Sequence, residues 1–146
     1  YVLQIDNSDP AFINSGFGNF GNVYSSWAVN GGSAEMTSFT SQGVDSYFAY
    51  QLDDLPIEAS VYHIKMKTQR DSDHCSGVSY QVLDENQTVV DKFYVNQNQN
   101  PMSFDVFTVG YAELQQGYSI RINWGARQCS GVAHKIILDQ LELESL

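Results

Sequence analysis

Apolar and polar residues alternate with a period of two along most of this chain, and no segment sustains the 3.6-residue period of an amphipathic helix. In Val61-Tyr62-His63-Ile64-Lys65-Met66-Lys67, Tyr62, Ile64 and Met66 share one face, while Val61, His63, Lys65 and Lys67 share the other. The same signature predicts strands over Val2–Asp6, Ala34–Phe39, Val44–Leu52, Ser60–Gln69, Val78–Leu83, Val89–Val95, Met102–Val109, Tyr118–Trp124 and Ala133–Leu143. Turn chemistry separates them at Asp54-Leu55-Pro56, Asp84-Glu85-Asn86, Gln115-Gln116-Gly117 and Gly125-Ala126. About nine short strands at this spacing predict one all-β domain over residues 1–146, an antiparallel β-sandwich with jelly-roll topology. The segment Pro10–Gly32, rich in Gly, Asn, Ser and aromatics, reads as a long ordered loop, with any helix confined to one short turn there.

Alternating strand directions sort the connections between the two ends of such a sandwich. Turns 53–59, 84–88 and 110–117 fall at one end, and loops 70–77, 96–101 and 125–132 at the other. Both cysteines lie at this second end, each inside a Cys-Ser-Gly-Val tetrapeptide: Cys75–Val78 and Cys129–Val132. A Cys75–Cys129 disulfide would close a loop of about 55 residues and stabilise by about 4 kcal/mol in the chain-entropy model. It would also imply an oxidising setting, extracellular or periplasmic. A zinc site made with His74 and His134 is the rival, although the Cys-x₂-Cys spacing of structural zinc is absent. Two unpaired thiols are the third possibility.

Composition narrows the class of partner. Seventeen acidic against seven basic residues give a net charge of −10, with no Lys/Arg cluster for nucleic acid or an anionic membrane surface. No apolar run is long enough to cross a bilayer as a helix. Only 16% of residues are charged, so the polarity resides in amides and hydroxyls: 10 Asn, 12 Gln and 16 Ser. Opening at Tyr1 without a Met or a leader-like stretch, the chain reads as a mature or excised part of something longer, and a monomer in that form.

The cysteine end concentrates the candidate chemistry. Its loops offer Arg70, Asp73 and His74, then the amide run Asn96–Asn100 with Asn98, then Trp124 and Arg127. Amides, carboxylates and guanidinium groups make paired hydrogen bonds to vicinal hydroxyls, and an indole face stacks on a sugar ring. A polar loop rim with Trp124 closing the core is the plainer reading. The Gly-rich segment adds Phe17, Phe20, Tyr24 and Trp27, of which Tyr24 and Trp27 are expected to be partly exposed. Catalysis has little support: there is no Gly-x-Ser-x-Gly, no His-Glu-x-x-His and no phosphate-binding Gly loop. Asp53 and Asp54 are adjacent, so in a strand they would point to opposite faces.

A calcium site is easier to motivate. Gln4 and Asp6 share one face of the first strand, and Asp139 interrupts the apolar run Ile136–Leu141. A carboxylate there needs a partner, either a hard cation or Lys135 and backbone donors.

The order of these pieces resembles golvesin-type and xanthan-lyase-type carbohydrate-binding domains, within the galactose-binding-like jelly rolls. Ile5-Asp6-Asn7-Ser8-Asp9-Pro10-Ala11-Phe12 is similar to their opening, and Phe48–Leu52, Leu55-Pro56 and Tyr62–Met66 to their strand, Pro turn and strand. Leu114–Ile120 and Ile137–Leu143 resemble their closing elements. The resemblance implies a non-catalytic module that binds an extracellular polysaccharide or oligosaccharide, attached to a secreted enzyme or adhesin. It further implies a structural calcium held by the first and last strands, here Gln4, Asp6 and Asp139, and a sugar site in apical loops with Trp124, Tyr24 or Trp27. The first strand departs from the usual Glu-x-Glu, carrying Gln4-x-Asp6, and the paired Cys-Ser-Gly-Val is foreign to the pattern. The alternatives from other classes are a structural or adhesive sandwich with no glycan ligand and a small enzyme acting alone.

Overall fold

A computed structural model describes residues 2–15, 19–24, 32–37, 47–53, 57–124 and 135–146. They form twelve antiparallel strands and no helix: β1 Val2–Asp6, β2 Phe12–Ser15, β3 Asn19–Tyr24, β4 Gly32–Thr37, β5 Tyr47–Gln51, β6 Ser60–Arg70, β7 Val78–Leu83, β8 Val89–Val95, β9 Ser103–Leu114, β10 Ser119–Trp124, β11 Lys135–Leu138 and β12 Gln140–Ser145. A four-stranded sheet runs β1-β12-β6-β9, a five-stranded sheet runs β2-β5-β10-β7-β8, and a three-stranded sheet runs β11-β4-β3. The β-sandwich is therefore as the alternation predicts, and β1, β7 and β8 keep their predicted bounds.

The core is built from the dry face of each strand. On β6, Tyr62, Ile64, Met66 and Thr68 are buried, and Leu141, Leu143 and Ile5 continue that face across β12 and β1. The opposing sheet contributes Phe48, Tyr50, Tyr80, Val82, Ile120 and Ile122. A fully buried aliphatic or aromatic side chain is worth about 1.5–3 kcal/mol relative to exposure, so this double layer supplies most of the driving force.

Three expectations are corrected. Pro10–Gly32 is not one long loop: β2 pairs with β5, and β3 pairs with β4. Local glycine content argues against strands, but a free sheet edge offers backbone partners that outweigh it. The strand expected over Ala133–Leu143 is broken at Asp139, where the chain leaves β11 in one sheet for β12 in another. Finally, β9 runs on to Leu114, so only Gln115–Tyr118 turn before β10.

Strands β8 and β9, consecutive in the chain, form the edges of opposing sheets. Gly110 on β9 lets them close together. A Cβ at this position would lie 2.8 Å or less from three atoms of the Phe93 ring on β8. Gly110→Ala should therefore cost about 1–3 kcal/mol by overpacking. Urea unfolding with an unchanged m-value measures it, and an unaltered midpoint would mean that the Phe93 ring swings aside without cost.

Candidate functional site

Loops 70–77 and 96–101 meet as their parity predicts, while 125–132 lies outside the described residues. Asp71 and Asn98 form a parallel bridge, as do His74 and Lys135. Backbone bonds stitch three segments: Gln97 N–H to Cys75 O at 3.0 Å, Cys75 N–H to Lys135 O at 2.8 Å, and Lys135 N–H to Asp73 O at 3.1 Å. Cys75 is fully buried and has no free thiol. Cys129 lies outside the described residues, and so do Trp27, Arg127 and the side chains of Tyr24 and Trp124.

The polar side chains here are turned mainly toward one another. Gln97 is entirely buried; its Oε1 accepts from the Tyr80 hydroxyl at 2.9 Å and its Nε2 donates to Ile137 O at 3.1 Å. One amide thus ties β7 to β11 from inside the sandwich. Asn98 Nδ2 donates to Ser72 O at 2.7 Å and to His74 O at 2.9 Å, which leaves Oδ1 as the atom it can offer a ligand. Asp73 stands 3.1 Å from Lys135 Nζ and 3.4 Å from His74 Nε2. Burial opposes the Asp73 charge, but the bonded Lys135 ammonium and the His74 ring outweigh it, and its pKa lies below the ordinary value. His74, buried with Nδ1 2.9 Å from Gln69 O, is pushed down by burial despite Asp73 and Asp71 nearby. Arg70 caps β6 with its guanidinium 4.3 Å above the Phe107 ring and Nη2 3.7 Å from Asp105. The sequence reading placed these residues at one end correctly. It treated Gln97 as one more amide in a polar run, because periodicity cannot tell an inward loop residue from an outward one.

A second surface went unnoticed in the sequence. On the outer face of the five-stranded sheet, a shallow groove has Ala49 and Ser119 as its floor, with Tyr47, Arg121 and Gln51 around it and Asp53 and Gln87 among its lining. The Arg121 guanidinium lies 4.2 Å above the Tyr47 ring. The signal was present in Ile120-Arg121-Ile122, where alternation turns Arg121 outward onto a strand neighbouring Tyr47 and Ala49.

The three calcium candidates are only partly gathered. Gln4 Nε2 donates to Glu142 at 3.4 Å, and Asp6 Oδ2 accepts from the Ser8 hydroxyl at 2.5 Å. Asp139 is fully buried, its carboxylate 4.0 Å from Lys67 Nζ, so Lys67 and not Lys135 is the nearby ammonium. Burial, then the charges of Tyr80, Asp139 and Asp6, hold the Tyr50 phenol well above its usual range. Tyr50 Oη, buried, has no hydrogen-bond partner among the described residues. All these donors are oxygens, which suits a hard cation, but Gln4 must turn from Glu142 to join them. Among the described residues no three His, Cys, Asp or Glu side chains are grouped to hold a metal.

No protein-family model matches the chain, and no curated protein matches it. Solved structures do. Paenibacillus xanthan lyase matches over 99% of this chain at TM-score 0.63 and 14% identity, and the chain spans only 13% of that protein's length. The CBM36-1 domain of a multidomain xylanase, from the hindgut metagenome of Trinervitermes trinervoides, matches over 100% of this chain and 98% of its own at TM-score 0.62 and 11% identity. A family 35 carbohydrate-binding module from Clostridium thermocellum matches over 100% and 99% at TM-score 0.61 and 13% identity. At these identities the likeness is one of fold: the chain has the jelly-roll sandwich that carbohydrate-binding modules use.

Gln97 is the one partner of the Tyr80 hydroxyl among the described residues, whereas Ile137 O also accepts from the Thr68 hydroxyl, so Gln97→Leu should leave one buried polar group without a partner. The expected loss is about 1–3 kcal/mol, for that one group. Thermal unfolding measures it; a loss well below about 1 kcal/mol would mean that water takes over the Tyr80 bond.

Proposed function

We propose that this chain is a non-catalytic carbohydrate-binding module that recognises an extracellular polysaccharide and serves a secreted glycan-active enzyme or adhesin. One observation carries the reading: the fold matches two complete carbohydrate-binding modules across essentially their whole length as well as its own. The low charged fraction with abundant amides and hydroxyls supports it, since sugars are held by such groups and by ring stacking. The binding surface is the cysteine end. Trp124 stacks on the sugar, with Tyr24 and Trp27 as further aromatics. Arg70 and Arg127 meet hydroxyl, carboxylate or sulfate oxygens, and Asn98 Oδ1 accepts from a ring hydroxyl. Asp73, His74 and Gln97 hold the loops that present them. Cys75 and Cys129 are read as bonded to each other; an alkylatable Cys129 in the native protein refutes that pairing.

A glycan array combined with a reducing-sugar assay tests the function, with binding and no product expected. Binding to nothing supports a structural or adhesive sandwich, and product release supports an enzyme. Each sugar hydrogen bond nets about 1 kcal/mol because it replaces one to water, so the stacking ring should dominate. Trp124→Ala should lower affinity at least about tenfold, about 1.4 kcal/mol, at an unchanged melting temperature. If Tyr47→Ala or Arg121→Ala abolishes binding while Trp124→Ala does not, the sugar lies in the sheet groove instead.

A structural calcium at Gln4, Asp6 and Asp139 belongs to the same proposal. Binding only the folded state, it would add about 2.7 kcal/mol at a hundredfold excess over Kd. Chelator should lower the melting temperature, and Asp139→Ala should remove that response. A chelator-insensitive wild type leaves Asp139 to Lys67 and the backbone.

A further inference from the structure

Of the ten asparagines, one opens an Asn-x-Thr triplet whose middle residue is not proline: Asn86-Gln87-Thr88. This is the acceptor pattern for N-linked glycosylation, and its use requires a surface loop. The triplet forms the tip of the β7–β8 hairpin, and all three residues are exposed. What holds the turn is Asp84. Its Oδ1 accepts from the backbone N–H groups of Asn86 and Thr88, both at 2.9 Å. Its main chain completes the turn, with Asp84 N–H donating to Thr88 O at 2.9 Å and Asp84 O accepting from Gln87 N–H at 3.0 Å. Asparagine in tight turns often makes such bonds with its own side chain. Here Asp84 has taken that role, and the Asn86 carboxamide makes no hydrogen bond to the described residues. Replacing one of its hydrogens therefore costs the fold no bond.

We propose that Asn86 is an acceptor for an N-linked oligosaccharide. Its Nδ2 would attack the anomeric carbon of a lipid-pyrophosphate-linked oligosaccharide, forming the N–C bond as the C–O bond to pyrophosphate breaks. The lipid pyrophosphate leaves, and the Nδ2 proton passes to the base of the transferase. Cys75 adds an independent point, because a cysteine without a free thiol belongs to an oxidising compartment, where such transfer takes place. The site is independent of the glycan-binding reading. Its neighbour Gln87 borders the Tyr47–Arg121 groove, so an attached oligosaccharide would stand at that rim. The β7 strand separates it from the cysteine loops, which stay clear.

The test is secretion of the full chain from a eukaryotic cell, followed by intact mass and peptide mapping before and after peptide:N-glycosidase F. One glycan is expected, on the peptide containing Asn86. It should be lost in Asn86→Gln and in Thr88→Ala and retained in Thr88→Ser, with melting temperatures of the deglycosylated proteins unchanged. Secreted chain with Asn86 unmodified overturns the proposal, as does a glycan that persists in Asn86→Gln.

Discussion

The sandwich depends on the register of β6, which pairs with β12 on one side and β9 on the other. Its alternation sends Tyr62, Ile64, Met66 and Thr68 inward and His63, Lys65 and Lys67 outward. A slip of one residue would drive two ammonium groups into the core and expose three large apolar side chains. Outside, Lys65 meets Glu144 at 2.6 Å and Glu142 at 3.6 Å across the β12 pairing, so charge placement agrees with the hydrophobic demand. These exposed pairs add little energy, but they penalise the wrong register.

The cysteine end follows a different rule. Its polar residues are not a solvated fringe: Gln97 and His74 are buried, and each buried polar atom must find a partner or lose free energy. The result is a closed set of bonds among Asp73, His74, Asn98, Gln97 and Lys135 that draws β7, β11 and two loops together. Loops held this way are ordered by their own bonds before any ligand is met. Rigidity at one end also contrasts with the opposite tip, where Asp84 alone secures a solvent-exposed hairpin turn.

At the Asp139 corner the chain changes sheets. The Asp139 N–H donates to Lys67 O at 3.1 Å and its C=O accepts from Asn7 N–H at 3.0 Å, so the strand breaks without stranding its backbone. Before the break, the Thr68 hydroxyl donates to Ile137 O, and β11 runs beside the end of β6. The chain thereby passes from one sheet to another while its apolar residues Ile136, Leu138 and Leu141 remain in one core.

Strand identity and the side each residue faces were determined by the sequence itself, because a period of two is a local property. Val78–Leu83 and Val89–Val95 are bounded where their pattern stops, and the gathering of loops 70–77 and 96–101 followed from strand parity alone. Tertiary structure decided the rest. Strands β2 and β3 form because the edges of β5 and β4 lend partners to segments whose composition favours turns. The inward turn of Gln97, the break at Asp139 and the Arg121–Tyr47 contact each join residues distant in the chain. Such contacts are chosen by desolvation and by which strands lie adjacent, and neither quantity is written in the local order of residues.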